Sequence, residues 1–270
     1  MDDFEDRSKP FYQRSLQLLQ AAHVPFLAGG AYAFCIYTGI TRHTKDLDLF
    51  VRQRDFARAL NTFCEAGYRA EKTFPHWLGK AFGDEDSIDI IYQAGNGLCP
   101  VDDLWFDRAP EAELFDLPVR LTPPEEMICM KADIMERERY DGADVAHLLF
   151  HCARQIDWSH LLRCFGPDWR ILLTHLILFG FIYPTEGNRI PAKFLQELVR
   201  RLENDEPTNG QPPLCRGTLL SRVQFLPDLQ TGHFRDARLE PRAGLSAAEI
   251  EAWTQAAGAS AKPHLAAQED

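Results

Sequence analysis

The sequence predicts an α+β protein: a mixed β-sheet core with flanking helices, followed by a helical C-terminal region. Three observations point there. Up to Thr122, short apolar runs with period-two alternation are interleaved with amphipathic helical stretches. Two of those runs, 77–82 and 87–92, flank the polar turn Gly83-Asp84-Glu85-Asp86 as a hairpin, which makes the sheet mixed rather than parallel. After Pro123-Pro124 the periodicity is helical.

The elements follow in order. Leu16, Leu18, Leu19 and Ala22 predict an opening helix over 11–22. A short buried strand over 24–28 runs into the tight turn Gly29-Gly30, and a helix over 31–37 stops at Gly39. Strand 46–51 precedes helix 55–66, which Gly67 terminates. Strands are predicted over 68–73, 77–82, 87–92 and 117–121. Helices follow over 125–137, with prolines at its start, and over 141–152, 158–165, 169–181 and 191–203. A polar, proline-rich break covers 204–213, and 214–229 has no clear period. Three regions result: a core over 1–122, a helical region packing on it over 123–230, and an irregular, mobile tail over 231–270.

Composition narrows the function classes. The chain has 270 residues, 45% hydrophobic and 26% charged, which is ordinary for a soluble globular protein. A formal net charge of -11 argues against nonspecific nucleic-acid binding, while leaving room for a local basic groove. The start Met1-Asp2-Asp3 is acidic where a secretory signal is basic. Segment 171–183 is interrupted by Thr174, His175 and Gly180, too short and polar for a bilayer span, and reads as a buried helix. The seven cysteines include no CxxC pair, which suits small core residues in a reducing, cytoplasmic setting and disfavours a zinc site by spacing. No membrane partner is expected.

The chemistry concentrates in two places. Asp46 and Asp48 alternate with Leu47 and Leu49, so their carboxylates project from one strand face and repel each other. A divalent cation is the usual reason to hold such a pair. Asp89 sits in the apolar run Ile88-Asp89-Ile90-Ile91, where an ionised carboxylate must be paired or bind metal. If its strand neighbours that of Asp46 and Asp48, three carboxylates converge. Gly29 and Gly30 precede a helix whose free N–H groups suit phosphate, and Arg42 and Lys45 add positive charge nearby. Each feature alone has a plainer reading: an ordinary turn, an exposed strand face, an aspartate paired with a buried arginine.

Gly29-Gly30, then Asp46-Leu47-Asp48, then Asp89 together resemble the nucleotidyltransferase fold of the DNA polymerase beta superfamily. The string Thr41 to Asp48 is similar to small bacterial-type members of the abortive-infection and toxin–antitoxin group. The resemblance covers roughly Val24 to Leu149. It implies transfer of a nucleoside monophosphate from a nucleoside triphosphate to a hydroxyl, with two Mg²⁺ ions or Mn²⁺ in their place. It implies Asp46, Asp48 and Asp89 as metal-binding and catalytic residues, and Gly29, Gly30, Arg42, Lys45 and Lys131 as nucleotide contacts. Lys131, Arg137, Asp141 and Asp144 match the group's later helix loosely. The acceptor is left open between a small molecule, a protein and RNA. An antitoxin-like partner is a further implication, and the alternative is a catalytically silent nucleotide-binding or toxin–antitoxin component.

Other constellations read as structure. Asp133 and Arg137 suit an i,i+4 pair on an exposed helix, and 136–139 alternates in sign like a solvated surface. His147 and His151 lack the Glu of a metalloprotease helix. Trp77 or Phe82 could stack on a base.

Overall fold

The structure is a computed structural model and describes residues 3–42, 44, 46–205 and 213–260. It opens with helix α1 (Asp3–Ala21), which buries Tyr12, Leu16 and Leu19 at helical spacing. Strand β1 (Leu27–Ala28) is shorter than the sequence suggests and leads through Gly29 into α2 (Gly30–Thr38). Strand β2 (Asp46–Phe50) follows, then α3 (Gln53–Glu65), whose Phe56, Ala59 and Phe63 face the sheet. Strands β3 (Arg69–Phe74), β4 (Leu78–Phe82) and β5 (Ser87–Ile91) complete a five-stranded sheet of order β1-β2-β5-β4-β3. Strands β3, β4 and β5 form an antiparallel meander, β1 is antiparallel to β2, and β2 and β5 are parallel.

Two elements escape the sequence pattern. Helix α4 (Asp103–Arg108) is short but capped, its Asp102 side chain accepting from the Leu104 and Trp105 N–H groups. Strand β6 (Glu111–Leu114) pairs with β7 (Leu117–Arg120) as a separate hairpin. The chain then returns to the sheet, where the Thr122 N–H donates to the Ala28 carbonyl.

The helical layer begins with α5 (Pro124–Ala132), which ends at Asp133 and not, as expected, at 137. Residues 133–141 form a turn, so Arg137 is exposed and off any helix, and the expected Asp133–Arg137 pair does not form. Helices α6 (Gly142–Cys152), α7 (Trp158–Phe165), α8 (Trp169–Ile182) and α9 (Ala192–Glu203) pack in sequence against α5 and each other. The run 158–182 meets the length and hydropathy of a membrane span, yet it is divided at Gly166, whose φ is +52°, into helices of 8 and 14 residues. Helix α8 is not wholly buried: Leu172, Leu176 and Phe179 face inward while Ile177 and Phe181 are exposed.

The stretch without a clear period, 214–229, and the segment read as an irregular tail, 231–270, carry further structure. Strand β8 (Leu214–Cys215) pairs with β9 (Arg235–Asp236), flanking α10 (Leu226–Gln230), and α11 (Ala247–Ser260) returns against β3. Residues 261–270 lie outside the described residues. One continuous hydrophobic cluster runs from Leu47, Leu49, Ile88 and Ile90 in the sheet to Leu148, Leu149 and Phe179 in the helices. A fully buried leucine contributes about 2 kcal/mol, and Leu47 and Leu49 anchor β2 to the core in this way.

Candidate active site

Alternation along β2 does the first work. Leu47 and Leu49 are fully buried, and Asp46 and Asp48 face the opposite way into a cleft of about 520 Å³. The parallel pairing of β2 with β5 places Asp48 opposite Asp89. All three carboxylates line this cleft. The structure thus brings together the aspartates that the sequence could only pair conditionally.

The glycine turn is fitted to this cluster. The Gly29 N–H donates to the Asp48 carbonyl at 2.9 Å. A Cβ at Gly30 would lie 1.7 Å from Asp48 Oδ2, and Gly30 has φ +56°. A Cβ at Gly29 would meet the Phe50 ring at 2.2 Å. Both positions therefore demand glycine, and the start of α2 is pressed against the Asp48 carboxylate. Thr44 Oγ1 donates to Asp46 Oδ1 at 2.9 Å and fixes that side chain.

Like charge and burial show in the acidities. Burial, reinforced by Asp89 and Asp46, pushes the Asp48 carboxyl up to about 7, while Lys131 and Arg139 oppose it. Burial also raises Asp89, against the pull of Lys80, with which it forms an ion pair. Asp46 and Asp48 have no cationic partner among the described residues. Two adjacent carboxylates of this kind, with a third facing one of them, suit a hard divalent cation with oxygen ligands.

Positive charge lines the same cleft. Lys131 Nζ lies 2.6 Å from Asp144 and 3.4 Å from Asp141. Arg42 also pairs with Asp144. Arg139 forks onto Asp141 through two hydrogen bonds of 3.0 and 2.8 Å. Although burial works the other way, the bonds from Arg139 and Lys131 hold Asp141 below the usual carboxylate range. The arginine that joins Lys131, Asp141 and Asp144 is thus Arg139, not Arg137. Lys45 lies outside the described residues.

Several site residues have no counterpart in the sequence reading. Lys80 faces Asp89 across β4 and β5, and hairpin register counted from the 83–86 turn would have found it. Glu136, read as solvated surface, accepts from Ser221 Oγ at 2.5 Å and pairs with Arg222. Trp253 reaches the cleft from α11, which carries no sequence signal for such a role. Trp77 lines the cleft, whereas Phe82 lies under Arg69 elsewhere. His147 has Tyr183 Oη 3.2 Å from Nδ1 and sets its ring edge-on to Phe34.

No protein-family model matches the chain, and no curated protein matches it. Solved structures do. The antibiotic-resistance factor ANT(2'')-Ia is similar at 16% identity and TM-score 0.47, over 63% of this chain and 97% of its own. The lincosamide antibiotic adenylyltransferase LnuA is similar at 18% identity and TM-score 0.38, over 52% of this chain and 94% of its own. JHP933 from Helicobacter pylori is similar at 12% identity and TM-score 0.40, over 76% of this chain and 97% of its own. At such identities the likeness is one of fold alone.

Proposed function

We propose that this protein is a metal-dependent nucleotidyltransferase that moves a nucleoside monophosphate from a nucleoside triphosphate to an acceptor hydroxyl. The observation that carries the reading is the convergence of Asp46, Asp48 and Asp89 on one cleft wall, with the Gly29-Gly30 turn against them. Asp46 and Asp48 would hold the divalent ions, Mg²⁺ by the hardness of the donor set, with Asp89 completing the second position. Bound there, the ions would neutralise charge on the triphosphate and on the attacking and leaving oxygens.

The chain's own groups do the rest. Backbone N–H groups at the start of α2 face phosphate oxygens. Lys131 and Arg42 meet the triphosphate, exchanging part of their contact with Asp144 for it. The acceptor oxygen bonds to the α-phosphorus, and its proton passes to the Asp89 carboxylate. The bond from the α-phosphorus to its bridging oxygen breaks, and pyrophosphate leaves with the electron pair.

The test is pyrophosphate release and label transfer from α-labelled nucleoside triphosphates with Mg²⁺. Activity that is lost on chelation and in Asp48→Asn supports the reading. No release with any of the nucleotides and a broad acceptor mixture, from a folded sample, overturns it.

A further inference from the structure

The carboxylates around the cleft can be sorted by the cation each one holds. Asp89 has Lys80, Asp144 has Lys131 and Arg42, Asp141 has Arg139, and Glu136 has Arg222. Asp46 and Asp48 have none among the described residues and face the metal position proposed above. One carboxylate remains. Asp133 ends α5, lines the same cleft and is 4% exposed. Its Oδ2 accepts from Asn96 Nδ2 at 3.3 Å, and its Oδ1 is buried with no hydrogen-bond partner. A buried acceptor left in this state costs on the order of 1–3 kcal/mol, and more when it is charged. Such a group calls for a partner that the protein itself does not supply.

Its surroundings say what kind. Asn96 follows Gly95, where a Cβ would lie 3.2 Å from the Trp253 ring and 3.4 Å from the Trp77 ring. Both indoles therefore stand beside the loop that carries the Asp133 contact, and both line the cleft. The Trp77 indole Nε1 is also buried without an acceptor. These cleft-lining residues thus bring together a buried carboxylate oxygen without a partner, a buried N–H donor without an acceptor and two aromatic rings.

We propose that these residues bind a small hydroxylated molecule through its protonated amine, held by Asp133, with one of its oxygens accepting from Trp77 Nε1. That this molecule is the acceptor rests on the nucleotidyltransferase reading; the binding does not. An ammonium group brings both the missing donor and the missing charge, and a charge-assisted hydrogen bond is about twice as strong as a neutral one. The neighbouring indoles favour a cation further. A polyphosphate backbone such as RNA would bring like charge to Asp133 instead.

The full-length protein, without nucleotide or metal, is titrated with glucosamine and with glucose, followed by tryptophan fluorescence and ligand-observed NMR. The two sugars differ in the amine alone. Glucosamine should bind at least about tenfold more tightly, the size of one charge-assisted contact. Asp133→Asn should erase that preference, and Trp77→Phe should weaken both sugars. Equal affinity for the two sugars, an unchanged preference in Asp133→Asn, or no saturable binding overturns the proposal. If Asp133→Asn does not fold, the comparison on the native chain still decides. Amine-selective binding without any labelled transfer product would sink the enzyme reading and leave the subsite standing. Transfer to neutral alcohols as readily as to amino alcohols would do the reverse.

Discussion

At the scale of single residues, the site is a balance between like charges and the groups that restrain them. Asp46→Asn or Asp48→Asn should lower pyrophosphate release by about a thousandfold or more, the size of losing one directed electrostatic contact to the reacting group. The melting temperature should hold or rise, because each change removes a charge from a repelling cluster. Circular dichroism and a thermal melt check this. Gly30→Ala should destabilise the fold by about 2 kcal/mol or more, since φ is +56° and the new methyl would strike the Asp48 carboxylate. Urea melts measure it. Lys80→Met leaves Asp89 buried and unpaired, a loss of about 3 kcal/mol in metal-free buffer. On the proposed function, saturating Mg²⁺ should return much of that loss, because an ion held by the aspartates would take the place of the missing ammonium.

At the scale of elements, legibility in the sequence followed the range of the interactions that define each one. Strands β2, β4 and β5 and helices α3, α7 and α8 stand close to where alternation and helical spacing put them, because their patterns are local. Helix α5 ends at Asp133 because Asn96 and the 213–224 segment claim the following turn: Asp133 bonds Asn96, Met135 N–H donates to the Leu220 carbonyl, and Glu136 bonds Ser221. Those partners lie far along the chain, and no window around residue 137 reveals them. The same reason hid Arg139, whose role depends on Asp141 folding back beneath it, and Trp253, which arrives on α11. The aspartates themselves were legible as candidates. Their convergence was not, since it depends on the parallel register of two strands some forty residues apart.

At the scale of the whole molecule, buried carboxylates set the response to pH. Burial holds Asp133 up to about 7, well above its value in an unfolded chain. A raised carboxylate favours folding fully below the unfolded value, and that contribution is lost as pH rises through the folded one. The contribution of Asp133 to stability should therefore decline from about pH 4 to pH 7, by at most about 1.4 kcal/mol per unit. The stability difference between Asp133→Asn and the native chain should shift in favour of the variant as pH rises over this window, as read by denaturant melts at each pH. The pairing of β2 with β5 has a consequence for the order in which the molecule assembles. The β4–β5 hairpin closes through a short turn, but Asp48 reaches Asp89 only after the intervening chain has been looped and fixed. Loop-closure entropy delays that contact, so refolding should protect β5 amides facing β4 before those of β2 facing β5 in pulse-labelled hydrogen exchange. Chains paused between these two steps would hold the β4–β5 hairpin, yet lack the gathered carboxylates on which the proposed chemistry depends.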